Sequence, residues 1–155
     1  MFIKNKNEKV VIGGTFDFFH EGHESFLSKA FSLGEVFIGL TSDGMALKTK
    51  KRKVKNFEYR EKELVNFIEN NFENDYVIGK IEDEFGPTLK EDFDYIVVSP
   101  ETKKTALIIN EERQKINKEP IKIIEIEFIL AEDGKPISST RIFKREIDRE
   151  GKLLK

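Results

Sequence analysis

VVIGGTFDFFHEGH, at residues 10–23, combines the signals of a strand, a tight turn and a helix start. Val10, Val11 and Ile12 are β-branched and precede a pair of glycines, which predicts a buried strand that closes into a tight turn. From Gly22 to Leu33 apolar side chains recur at helical spacing, and the glycine that follows predicts the end of a helix. A buried strand that runs directly into a helix is typical of the first half of a βαβ unit.

The rest of the chain repeats this alternation of short apolar runs and longer helical patterns. Further strands are predicted at residues 36–40, 76–78, 95–98 and 121–129. Further helices are predicted at residues 57–71 and 102–118, and a last one at about 138–150, with a tail that frays towards Lys155. Because strands that alternate with helices form parallel sheets, we predict an α/β fold with a doubly wound, mostly parallel five-stranded sheet. We expect a single domain over residues 1–155.

The composition excludes several classes of function. Lys and Arg number 27 against 29 Asp and Glu, and the resulting charge of −2 argues against a basic protein that coats nucleic acid or anionic membranes. The absence of cysteine excludes disulfides, thiolate catalysis and cysteine-ligated zinc. Uninterrupted apolar runs never exceed four residues, which indicates neither a transmembrane helix nor a signal peptide. We therefore expect a globular cytoplasmic protein that does not act at a membrane.

The loop between the first strand and the first helix suits a bound phosphate. Gly13 and Gly14 allow a ligand to approach the backbone closely, and a helix start offers free N–H groups and the positive end of its dipole. Gly22 has no side chain, which we expect to let an anion reach the backbone between His20 and His23. These are the two histidines of the chain, and three residues apart they can project to the same side. Surface histidines and a metal site completed by carboxylates are the alternatives, but this concentration after a glycine turn favours phosphate.

Gly-Gly-Thr-Phe-Asp followed by His20-Glu21-Gly22-His23 resembles the signature of the HxGH nucleotidyltransferases. The resemblance implies a Rossmann-like fold and the transfer of a nucleoside monophosphate from a triphosphate. It further implies that His23 contacts the phosphate under attack, that His20 contributes to the triphosphate site, and that Thr15 binds the phosphate of the incoming nucleophile. Beside a triphosphate we expect His23 in its charged form, because nearby anions stabilise an imidazolium.

A second motif, Ile137-Ser138-Ser139-Thr140-Arg141-Ile142, resembles the second signature of the same family. Taken alone, its hydroxyl residues are also good N-caps after a Gly-Lys-Pro turn. In the functional interpretation these hydroxyls and the N–H groups of a helix start hold phosphate oxygens, while Arg141 adds positive charge. The first and last loops of the sheet would then meet at one nucleotide.

Three further segments resemble the archaeal phosphopantetheine adenylyltransferases within this family. They are residues 79–88 with an acidic stretch before Gly-Pro, residues 97–113 with VVSPET and a later Ile-Asn-x-x-Arg, and residues 131–136. With them the resemblance extends from Val10 to about Gly151. The implied reaction joins ATP and 4′-phosphopantetheine to give dephospho-coenzyme A and pyrophosphate, by direct in-line attack of the acceptor phosphate.

The resemblance also suggests which residues contact the nucleotide. They are Gly13, Gly14, Phe16, Asp17, Gly22, Ser99, Glu101, Arg113, Ser138, Ser139, Thr140 and Arg141. Glu101 and Arg113 are equally open to pairing with neighbours, and for Asp17 a structural role in its turn is favoured. Mg²⁺ is expected because it travels with ATP, and no protein residue is assigned to it.

Residues 48–55 carry six basic side chains in eight positions and are expected in the loop after the second strand. Such loops lie at the carboxyl edge of a parallel sheet, where ligands bind. The resemblance implies a lysine that neutralises the reacting phosphates, and we expect Lys53 or Lys55 in that role, with Arg60 nearby. Lys48–Arg52 is interpreted as a solvated charge cluster.

Two alternative functions stay open from the sequence. The same chemistry could serve another acceptor, namely NMN, FMN or, with a cytidylyl group, glycerol phosphate. Residues 48–55 could instead make the chain a nucleic-acid-binding module, although this explains neither the histidines nor the serine cluster, and the net charge opposes it. We therefore expect ATP and 4′-phosphopantetheine as partners, without nucleic acid or membrane, and leave the oligomeric state open.

Overall fold

A parallel sheet organises the computed structural model, which describes residues 8–154. Residues 1–7 and Lys155, which belong to the predicted domain, lie outside the described residues. The strands are β1 (Lys9–Gly14), β2 (Glu35–Thr41), β3 (Tyr76–Ile81), β4 (Tyr95–Val98) and β5 (Lys122–Glu125). The helices are α1 (Glu21–Phe31), α2 (Asp43–Lys50), α3 (Phe57–Asn71), α4 (Lys103–Lys115) and α5 (Ser139–Phe143).

The strand order is β3-β2-β1-β4-β5, and every pair of neighbouring strands is parallel. Side chains alternate across the central strand, as the period of a strand requires. Val10 and Ile12 pack in a core cluster with residues of α1 and α3 on one face, whereas Val11 packs with Ala106 and Ile109 of α4 on the other. Helices therefore cover both faces, and the predicted doubly wound five-stranded sheet is confirmed.

The strand order places a binding crevice at one point of the sheet. The chain leaves β1 towards β2 on one side and later returns to β4 on the other, so that the order reverses between β1 and β4. In open α/β sheets, ligands bind outside the carboxyl ends of the strands at such a reversal. The loop after β1 carries the first motif, and the loop after β4 carries the predicted site residues Ser99 and Glu101.

The prediction of a loop for residues 48–55 is wrong in part, because α2 extends to Lys50. Ser42 caps this helix, its Oγ accepting from the N–H of Met45 at 3.2 Å, and Lys51 ends it in a left-handed conformation with φ 56°. Ala46 is the one buried residue of α2, so its sequence lacks the apolar periodicity by which a helix is predicted.

The predicted helix over residues 138–150 is also wrong, since α5 ends at Phe143. Arg145 adopts φ 62°, and the chain turns back so that Ile147 forms an isolated antiparallel bridge with Leu153. Ile147 is fully buried in a small cluster with Ala131 and Ile137. The tail is therefore not frayed within the described residues, because Ile147 packs against Ile137 of the second motif and pairs with Leu153.

No helix among residues 8–154 combines the length and apolar character needed to cross a membrane.

Candidate active site

The first turn of α1 is built by the two histidines. His20 is the N-cap in an extended conformation, and its Nδ1 accepts from the N–H of Gly22 at 3.0 Å. His23 Nδ1 accepts in return from the N–H of His20 at 3.2 Å, which completes a capping box made of imidazoles. The rings stack with centroids 3.8 Å apart. Both side chains thereby satisfy N–H groups that a helix start leaves without partners.

This geometry fixes the tautomer of both rings. A nitrogen that accepts from a backbone N–H carries no proton, so each neutral imidazole holds its proton on Nε2. Burial lowers the pKa of His20 to about 4, helped by the charges of Lys50 and Arg149. The pKa of His23 also lies well below its usual value, mainly through desolvation and then through His20. Each histidine therefore offers a neutral Nε2–H donor. The expectation that His23 is charged beside a triphosphate stays a prediction.

The space beside Gly22 is occupied by the His20 ring and does not expose the backbone to an anion as expected. A Cβ at this position would lie 2.8 Å from Cε1 of His20, so the imidazole fills the space that the missing side chain leaves. The N–H of Gly22 is likewise engaged by His20. Phe16 is buried beside the pair with its ring centroid 5.1 Å from that of His23, which indicates a supporting rather than a nucleotide-contacting position.

A cavity of about 540 Å³ opens at the carboxyl ends of β1 and β4 and extends between the sheet and α4. Its deep part is apolar, with walls that include Val11, Ile96, Val98, Ala106 and Ile109. Its polar lining contains Gly13, Gly14, Thr15, Thr41, Lys50, Glu101, Thr102 and Thr140. Its walls thus join the loop after β1 to the second motif. The lining includes neither histidine, but the charge of Lys50, which does line the cavity, acts on both rings.

Thr15 is held in the cavity wall by a buried network. Its Oγ1 accepts from the Oγ1 of Thr41 at 2.9 Å, and its carbonyl accepts from Arg60 Nη1 at 3.1 Å. Arg60 is fully buried and also donates to the carbonyl of Lys55 at 2.7 Å and to Asp43 at 2.9 Å. Because the Thr15 hydroxyl accepts from Thr41, its own proton is free for a ligand. Arg60, expected near the phosphates, connects α3 to Thr15 after β1 and to Thr41 of β2, both of which line the cavity.

Lys50 is the lysine that lines the cavity, and the sequence did not single it out. It is the last residue of α2, and its charge contributes to the lowered pKa values of both histidines. Burial lowers the pKa of Lys50 itself, while the Glu101 carboxylate opposes that shift. Lys50 was missed from the sequence because α2 was not predicted. Lys50 is the last residue of that helix, and its position at the cavity follows from where the helix ends.

The two lysines expected to neutralise the phosphates lie elsewhere. Lys53 is exposed, and Lys55 is half-buried with its Nζ 5.0 Å from the ring centroid of Phe18 and 4.8 Å from that of Tyr59. The cavity lining contains neither of them. Lys55 stays close to the loop through its backbone, since its N–H donates to Asp17 at 3.3 Å. The carbonyl of Lys53 accepts from Arg52 at 3.0 Å.

Arg52 contradicts the interpretation of Lys48–Arg52 as a solvated cluster. Its side chain is only 7% exposed and pairs with the fully buried Asp17 at 2.7 Å. The same guanidinium donates to Ser139 Oγ at 2.9 Å and to Thr140 Oγ1 at 3.3 Å. These contacts bring the first loop, the basic segment and the second motif together, and they give Asp17 the structural role that the sequence favoured.

The residues of the second motif have different roles: Ser138 caps α5, whereas Ser139 and Thr140 contact Arg52. Ser138 is the N-cap of α5, and its Oγ accepts from the N–H of Arg141 at 3.2 Å. The Arg141 guanidinium, expected to add charge for a phosphate, is bound to Asp133 and to Glu146 at 2.9 Å. Ser139 and Thr140 are the members whose hydroxyls accept from Arg52, and of these two Thr140 lines the cavity.

The candidates from the middle of the chain also differ in role. Arg113 is buried and donates to three carbonyls and to Asp92, which uses four of its five N–H groups. Of the two roles left open for it, the structure supports structural pairing. Ser99 donates its N–H to Thr102 Oγ1 at 3.1 Å, ahead of α4. Glu101 lines the cavity opposite Lys50.

Comparisons with known proteins show the family to which the chain belongs. The family model described as cytidylyltransferase-like matches residues 11–145. A phosphopantetheine adenylyltransferase of Methanosarcina acetivorans is 49% identical over 150 residues, covering 94% of this chain and 95% of that protein. One from Pyrococcus abyssi is 44% identical, covering 97% and 98%. The solved structure of a protein of unknown function from Archaeoglobus fulgidus has a TM-score of 0.72 and 39% identity, covering 76% of this chain and 88% of that one. A cytidylyltransferase-like match over most of the chain, with such relatives, means that this chain belongs to the archaeal phosphopantetheine adenylyltransferases.

Proposed function

We propose that the chain transfers AMP from ATP to 4′-phosphopantetheine, which yields dephospho-coenzyme A and pyrophosphate. The relatives that carry the name phosphopantetheine adenylyltransferase support the acceptor. The observation that carries the proposal is the divided cavity, apolar between the sheet and α4 and polar at the carboxyl ends of the strands. Such a cavity suits an acceptor with a long uncharged arm and a phosphate at one end.

The reaction needs no nucleophilic side chain. An oxygen of the acceptor phosphate forms a bond to the α-phosphorus of ATP, the bond from that phosphorus to the bridging oxygen breaks, and pyrophosphate leaves with the electron pair. A phosphate dianion is already a nucleophile, so the task of the protein is alignment and the stabilisation of charge. Alignment alone can contribute about 7–11 kcal/mol when the reacting groups are held tightly.

In this proposal the residues of the site divide between the two substrates. The free hydroxyl proton of Thr15 donates to the acceptor phosphate, with the arm against the apolar wall. The Nε2–H groups of His20 and His23 donate to the nucleotide phosphates, and His23 does so where charge develops. Lys50 supplies the positive charge that the sequence assigned to Lys53 or Lys55. Its position in the cavity wall and its charge beside both histidines support this assignment.

We propose Mg²⁺ as a companion of ATP. Asp17 is unsuited to hold it, because Arg52 and the N–H of Lys55 already occupy its carboxylate oxygens. Glu84 and Glu101 are carboxylates in the cavity lining and offer the hard oxygen donors that Mg²⁺ prefers. When bound to ATP, the ion neutralises part of the charge of the triphosphate.

The nucleic-acid alternative has lost much of its support. Arg52 is buried against Asp17, Lys50 lines the cavity, and Lys55 packs on aromatic rings. The basic segment therefore offers fewer solvated cations than its sequence suggested. We propose a cytoplasmic enzyme whose ligands are the two substrates, without nucleic acid or membrane.

A screen of acceptors tests the proposed function. Pyrophosphate release would be measured with ATP, Mg²⁺ and either 4′-phosphopantetheine, NMN or FMN, and with CTP and glycerol phosphate. We expect turnover with 4′-phosphopantetheine and only background with the others. Turnover with another acceptor, or none with 4′-phosphopantetheine, would refute the proposal. Retention of RNA that weakens steeply with salt, without ATP turnover, would favour the alternative function.

A further inference from the structure

Arg52 is a buried cation at the point where three distant segments meet. Its guanidinium donates to Asp17 from the first loop, to Ser139 and Thr140 from α5, and to the carbonyl of Lys53 at 3.0 Å. The guanidinium carbon also lies 4.9 Å from the ring centroid of Phe143. The planar fork of an arginine can serve several acceptors at fixed angles, which the single ammonium of a lysine cannot.

These bonds determine how the two hydroxyls of α5 are presented. Ser139 Oγ and Thr140 Oγ1 each accept from Arg52, so a lone pair of each oxygen faces the guanidinium. A hydroxyl has one proton, and with Arg52 on one side that proton points away from it. Thr140 lines the cavity. Both hydroxyls are therefore arranged as donors, and the Thr140 hydroxyl can donate to an anion in the cavity whose wall it forms.

The positive charge beside the hydroxyls of Ser139 and Thr140 comes from Arg52 and not from Arg141, the arginine of the second motif. Arg141 is neutralised by Asp133 and Glu146. Arg52 shares its charge with Asp17 alone among the described carboxylates, and it lies two residues after Lys50 of the cavity wall. The contacts of Arg52 thus reach the hydroxyls of the second motif, the loop after β1 and the end of α2.

We propose that Arg52 is a positioning residue for the nucleotide triphosphate: it latches α5 to the first loop and orients the hydroxyls of Ser139 and Thr140 as donors to phosphate. This inference rests on the proposed function for the identity of the nucleotide. It assigns Arg52 to ATP and leaves the acceptor to Thr15 and the apolar part of the cavity. Loss of the Arg52 side chain should therefore weaken the binding of ATP far more than the binding of the acceptor.

Steady-state kinetics of Arg52→Lys and Arg52→Ala test this inference, with Lys48→Ala as the matched control. Lys48 is an exposed cation of the same segment, outside the site. We expect the KM for ATP to rise about tenfold in both Arg52 variants, with the KM for the acceptor within about twofold, because only the ATP side loses its oriented donors. An unchanged KM for ATP in Arg52→Lys overturns the proposal. This variant keeps a cation beside Asp17, so it decides the matter even if Arg52→Ala does not fold.

The substitution Ser139→Ala separates positioning from a general structural effect. In the wild type it should raise the KM for ATP about fivefold, whereas in the Arg52→Lys background it should add little, because the hydroxyl is no longer oriented. Equal effects in both backgrounds contradict the proposal.

ATP binding measured by calorimetry without acceptor keeps the two proposals distinguishable. Wild type and Lys48→Ala should bind ATP equally, and Arg52→Lys should bind it about tenfold more weakly. If the wild type binds ATP in this pattern but does not use 4′-phosphopantetheine, the proposed acceptor fails while the role of Arg52 stands. If Arg52→Lys binds ATP as the wild type does, the role of Arg52 fails whatever the acceptor is.

Discussion

At the scale of single residues, each of the two histidines uses one ring nitrogen to cap α1 and keeps the other for the donor role proposed above. Nδ1 of each ring caps α1, and Nε2 is left as a donor. Structure and chemistry are thus combined in the same side chains, and a substitution affects both. The chemical part is the larger one, because a helix cap contributes about 1 kcal/mol whereas a donor aimed at developing charge contributes about 3–4 kcal/mol.

His23→Ala should lower kcat by roughly two to three orders of magnitude, because it removes a donor to the phosphate under attack. The free energy of unfolding should fall by only about 1 kcal/mol, the size of the lost cap. Kinetics of pyrophosphate release and urea unfolding check the two effects. Glu24→Ala, at the exposed next position, is the control and should change neither. A variant that retains near-normal turnover would show that His23 does not act on the phosphate.

The stability of the folded chain should depend on the protonation of His20. Its pKa is lowered from 6.5 to about 4 on folding, so between these values the unfolded chain binds a proton that the folded chain does not. Stability contributed by this group is therefore complete above pH 6.5 and lost progressively as the pH falls to 4, by roughly 3 kcal/mol in total. Urea unfolding at several pH values measures it. The variant His20→Asn keeps a good N-cap that does not titrate. In this variant the part of the pH dependence of the unfolding free energy that His20 contributes should disappear. An identical slope in that variant would assign the pH dependence to other groups.

At the scale of elements, the quality of the sequence prediction follows from the burial of each segment. α3 was predicted with its observed bounds, because four buried side chains repeat at helical spacing after the capping Asn56. α2 was missed because it buries Ala46 alone. The last helix was predicted too long because Ile147 is buried with Ala131 by a turn of the chain after α5, which the sequence pattern does not reveal.

Arg113 illustrates an element-scale role that sequence alone could not separate from nucleotide binding. Its donors join α4 to the carbonyls of Thr88 and Glu91, in the segment that covers one side of the cavity. Arg113→Ala leaves these buried acceptors without partners and should lower the free energy of unfolding by about 3 kcal/mol. The KM for ATP of the folded variant should stay within about twofold of the wild type.

Urea unfolding and kinetics together decide between the two roles of Arg113. The control is Lys115→Ala, an exposed cation on the same helix, which should cost less than about 1 kcal/mol. A large rise in the KM for ATP with unchanged stability would restore the nucleotide-binding interpretation.

At the scale of the whole molecule, the fold brings together motifs from the two ends of the sequence. Sequence spacing predicted that both motifs precede helices at one sheet edge, and it identified Thr15, Thr140 and Glu101, which line the cavity. It could not predict that Lys50 and Arg52 join them, because their positions depend on where α2 ends and how the chain turns at Lys51. It also could not show that Arg141 is held by carboxylates, which depends on the turn at residues 133–136.

The segment after α5 should contribute to stability although it lies far from β1 in sequence. Ile147 is fully buried with Ala131 and with Ile137, the first residue of the second motif. Ile147→Ala should lower the free energy of unfolding by about 2–4 kcal/mol, because the cavity left in this small cluster cannot collapse fully. Leu154→Ala, at a half-exposed position, should cost about 0.5 kcal/mol or less. Equal losses in the two variants, measured by urea unfolding, would mean that the tail is not anchored as described.

The most direct test of the account is a crystal structure of the protein with a non-hydrolysable ATP analogue. We predict phosphate oxygens of one bound nucleotide within hydrogen-bond distance, about 2.7–3.2 Å, of the Nε2 atoms of both histidines and of the α5 start at Ser139 and Thr140. A nucleotide that contacts only one of these two motifs, or lies away from the carboxyl ends of β1 and β4, would contradict the claim that they form a single site.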